Sequence, residues 1–68
     1  MATYKKLGEN IKRIRRKRKL TQEQLAELAK VDPKSIIEIE AGKRNHTLKT
    51  ISKIANTLGV KVKDIFPF

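Results

Sequence analysis

Two helix starts separated by one short turn constrain this chain more than any other feature. Thr21 followed by Gln24 fits a capping box, in which each side chain satisfies an orphan backbone N–H of the other residue. A helix over 22–29 is expected to follow. Asp32-Pro33 announces the next start. Asp caps free N–H groups, and Pro at the first helical position has the right φ and lacks the N–H that would be orphaned. That helix spans 33–41 and stops at Gly42, which can take the left-handed conformation after a helix end. Only Lys30, Val31 and Asp32 lie between the two, and so short a connection makes the helices cross steeply. Ala26 is small enough for close approach, and Val31, Ile36 and Ile39 can fill the space between. The same spacing also suits an ordinary corner of two helices that binds nothing.

Apolar spacing predicts helices elsewhere too. Leu7, Ile11 and Ile14 recur at the period of one helical face, which predicts a helix over 4–18 with Thr3 as N-cap. Leu25, Leu28 and Ala29 give the second helix a short apolar face. Thr47 caps a fourth helix whose stripe is Leu48, Ile51, Ile54, Ala55 and Leu58. Gly59 ends it, with Val60 placed for a Schellman contact. A final turn at 62–66 carries Val62, Ile65 and Phe66. No segment shows strand alternation, an internal repeat or a linker. The expected architecture is all-α, one domain over 1–68: a compact five-helix bundle of four helices plus a short fifth. A chain this small buries only about 60% of its unfolded surface. With no cysteine to staple it, it depends on helix packing or on a partner subunit.

Charge narrows the function. The chain carries 17 Lys and Arg against 7 Asp and Glu, a formal net charge of +10. Residues 5–19 hold nine of the basic side chains and a single acid, Glu9. Such a field attracts polyanions, although Lys-rich helices can also be merely well solvated. No apolar run reaches membrane-spanning or signal-peptide length, so a cytoplasmic location without membrane contact is expected. The basic first helix is a poor membrane-surface element, because its apolar face is needed for the core. One Tyr and two Phe, all near the ends, offer no stacking platform for single-stranded RNA. One histidine, His46, and no cysteine leave a metal short of ligands. Nothing resembles a catalytic cluster, a phosphate loop or a cofactor site, so neither an enzyme nor a small-molecule binder is expected.

The run Leu20-Thr21-Gln22-Glu23-Gln24-Leu25-Ala26-Glu27-Leu28-Ala29, then Ile36-Ile37-Glu38-Ile39-Glu40-Ala41-Gly42-Lys43-Arg44-Asn45, resembles the Cro/CI family of DNA-binding domains. This family is also called Xre-type and includes the lambda and 434 phage repressors. Ile54-Ala55, Leu58-Gly59-Val60 and Asp64-Ile65-Phe66 continue the resemblance over nearly the whole chain. It implies a helix-turn-helix, with the second helix across the phosphates and the third in the major groove. Two departures stand out. Lys19 and Lys30 occupy positions where the family usually has glycine with left-handed backbone, at a cost on the order of 1 kcal/mol each. His46 stands where proline is usual.

On that basis double-stranded DNA is the expected partner. On the third helix Ile36 and Ile39 face inward, while Lys34, Ile37, Glu38 and Ala41 face outward with Pro33 leading. Pro33, Lys34, Ile37 and Glu38 are the candidate base contacts. Ile37 can pack on a thymine methyl, Lys34 can donate to guanine O6 and N7, and Glu38 can accept from a cytosine amino group. Lys34 could equally be a solvated lysine, and Glu38 could pair with a neighbouring cation. Thr21, Gln22, Ser35, Lys43, Arg44 and Asn45 are the candidate phosphate contacts; a plain first-turn glutamine and a polar turn after Gly42 are the alternatives. The family pattern pairs Arg15 with Glu40 in a partly buried bridge, with Arg15 also able to reach a phosphate. Val60, Val62, Ile65, Phe66 and Phe68 are the candidate dimer interface, since the family makes its two-fold contact there. Closing the monomer core is their other use. The resulting expectation is a homodimeric transcriptional regulator, a repressor or autoregulator, on an inverted-repeat operator. An adaptor or antitoxin that binds both DNA and a partner protein is the alternative.

Overall fold

The computed structural model describes residues 2–43 and 46–66. The helices are α1 (Ala2–Lys17), α2 (Gln22–Ala29), α3 (Pro33–Glu40), α4 (Leu48–Leu58) and α5 (Val62–Ile65), and the described residues contain no strand. α2 packs against both α3 and α4, α1 packs against α3 and α5, and α4 meets α5. Each helix gives the common core at least one fully buried side chain: Ile11, Leu25, Ile36, Ile54 and Ile65 are each 0% exposed. Burying such a side chain contributes about 1.5–3 kcal/mol.

The starts of the helices follow the local chemistry. The Thr21 hydroxyl accepts from the Gln24 N–H at 3.0 Å, and the Thr21 N–H donates to Gln24 Oε1 at 2.8 Å. Asp32 Oδ1 accepts from the Lys34 N–H at 2.8 Å, and Pro33 follows as the first helical residue. Thr47 accepts from the Thr50 N–H at 3.2 Å. At the amino end the expectation fails: α1 begins at Ala2, so Thr3 lies inside its first turn instead of capping it.

Four helices end alike. After each, a left-handed residue (Lys19, Lys30, Gly42 or Gly59) lets the next N–H reach back to a carbonyl of the last turn. Leu20 bonds to Arg15, Val31 to Ala26, Lys43 to Glu38, and Val60 to Ala55, all at 3.0–3.1 Å. This is the Schellman ending, and two of the four left-handed positions are lysine, at φ 60° and 58°. A side chain with a Cβ is strained there. Lys30→Gly is therefore expected to raise stability by about 1 kcal/mol, shifting Tm upward by about 4–8 °C. Lys30→Ala should leave Tm nearly where it was. Thermal denaturation of both variants, followed by circular dichroism, checks this.

Two apolar residues assigned to helix stripes are exposed, Leu28 at 59% and Leu48 at 64%. At about 100° per residue, Leu28 stands roughly 100° round from the centre of the Leu25, Ala26 and Ala29 face. Leu48 stands roughly 70° from the centre of the α4 stripe. Apolar spacing alone had included both, but each lies beyond the arc that the neighbouring helices cover.

Candidate nucleic-acid interface

The corner between α2 and α3 is braced from inside. Ile36 and Ile39 are buried, as are Leu25, Ala26 and Ala29 opposite them. With that face turned in, α3 holds Lys34 and Ala41 exposed and Ile37 51% exposed. Pro33 is exposed at the leading end, and Ser35 and Glu38 are half-buried. Ser35 and Glu38 thus sit at the flanks of the outward face, whereas the expectation put Glu38 fully on it. An isoleucine half in water on a two-turn helix leaves apolar surface that nothing in the monomer covers.

Behind α3 lies an ion-pair network. Arg15 Nε donates to Glu40 Oε2 at 2.6 Å, and Arg15 Nη2 donates to Glu40 Oε1 at 3.0 Å. Arg15 Nη1 donates to the Leu20 carbonyl at 2.7 Å. The two side chains are 9% and 3% exposed. With three nitrogens taken by protein acceptors and so little surface left, Arg15 is a positioning residue; the phosphate role is set aside. Gln22 enters the same network, its Nε2 donating to Glu40 Oε1 at 3.1 Å. Glu40 therefore ties the end of α1, the start of α2 and the end of α3 together. The amide expected to point at a phosphate points inward here, so an anion contact at this end would fall to the first-turn N–H groups of α2. No residue pattern within α2 signals this turn of Gln22, since its partner lies eighteen positions away.

Beyond α3, Lys43 is exposed while its N–H closes the helix on the Glu38 carbonyl. Arg44 and Asn45 lie outside the described residues. His46 is a half-buried loop residue, and no group of three or more His, Cys, Asp or Glu among the described residues could hold a metal. Thr21 is exposed beside Gln22, with its hydroxyl already accepting the cap hydrogen bond.

At the carboxyl end the candidates divide. Ile65 is 0% exposed and so belongs to the monomer core, not to an interface between subunits; α5 packs on both α4 and α1, and its buried side points there. Val60, Val62 and Phe66 pack partly against that core and keep some surface outside it. Phe68 lies outside the described residues. No helix among the described residues is long and apolar enough to cross a membrane.

The profile of the helix-turn-helix domain family matches residues 8–66. The chain belongs to this family. The helix-turn-helix chain is 42% identical over 59 residues to the immunity repressor protein of Bacillus phage phi105. That match covers 87% of this chain but only 41% of the phage protein, which is more than twice as long as the shared part. It is 46% identical over 60 residues to an HTH-type transcriptional regulator of Methanocaldococcus jannaschii, covering 88% of this chain and 91% of the relative. In three dimensions the helix-turn-helix chain is similar to the restriction-modification controller protein C.AhdI of Aeromonas hydrophila. That comparison gives a TM-score of 0.93 at 32% identity and covers 97% of this chain and all of the controller.

Proposed function

We propose that this helix-turn-helix chain regulates transcription by reading double-stranded DNA with α3 in the major groove. The observation that carries the reading is the outward face of α3, where a half-exposed Ile37 stands one turn from an exposed Lys34. That combination offers an apolar contact for a thymine methyl and a donor for guanine O6 and N7. Lys43, Arg44, Asn45, Ser35 and the α2 start at Thr21 and Gln22 supply backbone contacts on either side. Glu40 holds the two helices at the angle this requires. The kinship with a phage repressor, an archaeal regulator and a controller protein supports the same reading.

The chain works as a homodimer in this proposal, with Val62, Phe66 and Phe68 at the seam. A two-fold dimer puts its recognition helices about 34 Å apart and reads an inverted repeat with half-sites one turn apart. Bound across a promoter, such a dimer represses by occupying the site.

Base reading and phosphate contact separate in one titration. Lys34→Ala is expected to cost roughly 1–3 kcal/mol per half-site on operator DNA and far less on a scrambled duplex. Lys43→Ala should weaken both duplexes alike and reduce the salt slope by about one per contact removed. The measurement uses both variants on both duplexes, selected from the gene's upstream DNA, at several salt concentrations, with sedimentation reporting stoichiometry. Equal loss on both duplexes for Lys34→Ala would make Lys34 a phosphate contact and would remove α3 from the groove.

A further inference from the structure

A groove away from α3 is lined by Arg13, Ile14, Lys17, Arg18, Val60 and Asp64 and has a volume of about 520 Å³. Its placement follows from the helical period of α1. Arg15 faces α3 through Glu40, and a Cβ on Gly8 would meet α3 backbone. Asn10 points the other way, its Nδ2 donating to the Ile65 carbonyl of α5 at 2.7 Å. At about 100° per residue, Asn10, Arg13 and Lys17 stand roughly half a turn from Gly8 and Arg15. DNA held by α3 therefore lies on the other side of α1 from this groove.

The groove carries charge that the fold leaves unused. Arg13 and Lys17 are exposed, and neither is in an ion pair among the described residues. Arg18 is anchored, its Nε donating to the Leu58 carbonyl at 3.1 Å, so that one wall is fixed. The Asp64 carboxylate accepts from the Lys61 N–H at 3.2 Å, where it caps α5. Between the cations the floor is apolar, formed by Ile14 and Val60.

We infer that this groove docks an acidic segment of a partner protein, with carboxylates on Arg13 and Lys17 and an apolar side chain on Ile14 and Val60. A polypeptide fits these features better than a nucleic-acid backbone. A continuous row of phosphates offers nothing to the apolar floor. Since the groove and α3 lie on different sides of α1, partner and DNA can be held at once. The inference stands independently of the DNA reading, because its main readout needs no DNA.

The test titrates the full chain, labelled with nitrogen-15, with a synthetic peptide of glutamate and leucine and with its glutamine-leucine counterpart. The acidic peptide is expected to shift the amides of residues around Ile14, Val60 and Asp64, and to do so equally on protein saturated with a tightly bound duplex. Arg13→Glu with Lys17→Glu should weaken the peptide at least about tenfold, the scale of two reversed surface charge pairs. Lys49→Glu with Lys53→Glu, an equal charge change on α4, should leave it nearly unaffected. Shift mapping on the unaltered protein stands even if a charge-reversed variant folds poorly. The inference is overturned by no binding, by equal binding of the glutamine peptide, by equal loss in both double variants, or by displacement of the peptide by the duplex. If the Arg13 and Lys17 changes cost DNA affinity and leave the peptide untouched, the groove holds a DNA backbone instead.

Discussion

Gly8→Ala is expected to lower Tm by roughly 10–20 °C, a large effect for a single added methyl group. Alanine is the better helix former by about 1 kcal/mol, so helix propensity alone predicts the opposite sign. The obstacle is α3. A Cβ at position 8 collides with the Ile39 carbonyl oxygen and comes within 2.9 Å of the Glu40 carbonyl oxygen. Those are backbone atoms of a packed helix, which cannot swing away as the end of a flexible side chain can. α1 and α3 must separate, and the Arg15–Glu40 bridge beside the crossing loosens with them. Overpacking of this kind costs about 1–3 kcal/mol or more. Differential scanning calorimetry gives the answer directly, and an unchanged or raised Tm would show that the crossing yields without loss.

Removing Glu40 should be at least as damaging. Glu40→Ala leaves the Arg15 guanidinium buried with only the Leu20 carbonyl as acceptor and leaves the Gln22 amide without its partner. Breaking a buried pair from one side costs about 3–5 kcal/mol, because the remaining charge is uncompensated. Arg15 is shielded on nearly all sides and cannot recover the loss from water, so a value toward the upper end is expected. Lys53→Ala, a change at an exposed residue of α4, should cost within about 0.5 kcal/mol. Chemical denaturation of the two variants compares them. Equal midpoints would mean that the bridge contributes no more than a surface lysine. Because Glu40 also sets the angle between α2 and α3, Glu40→Ala protein that still folds should bind operator more weakly than its folded fraction predicts.

Much of this molecule was legible along the chain. Thr21 with Gln24, Asp32 with Pro33, and Thr47 gave the starts of α2, α3 and α4 because a cap is made between residues at most three apart. The periodic stripes named nine of the buried apolar residues for a related reason: a helix repeats its face every three or four positions. Ile37 stood out as an apolar residue on the wrong face, and it is half exposed. The resemblance to phage repressors added Arg15 with Glu40 and the left-handed lysines 19 and 30, which local pattern does not reveal.

What the tertiary structure decided concerns flanks rather than faces. Period and caps say which arc of a helix is apolar, but not which neighbour each edge of that arc meets. Leu28 and Leu48 fell outside the covered arc, while Ile65 fell wholly inside it and left the candidate dimer seam. Gln22 turned toward Glu40, and Gly8 became the point where α1 crosses α3. Arg13, Lys17 and Val60, far apart in the chain, came together as one groove. Each of these depends on the distance and angle between helices joined by long-range packing. Caps and periodicity act within about four residues and carry no information about that geometry, so only the assembled bundle could supply it.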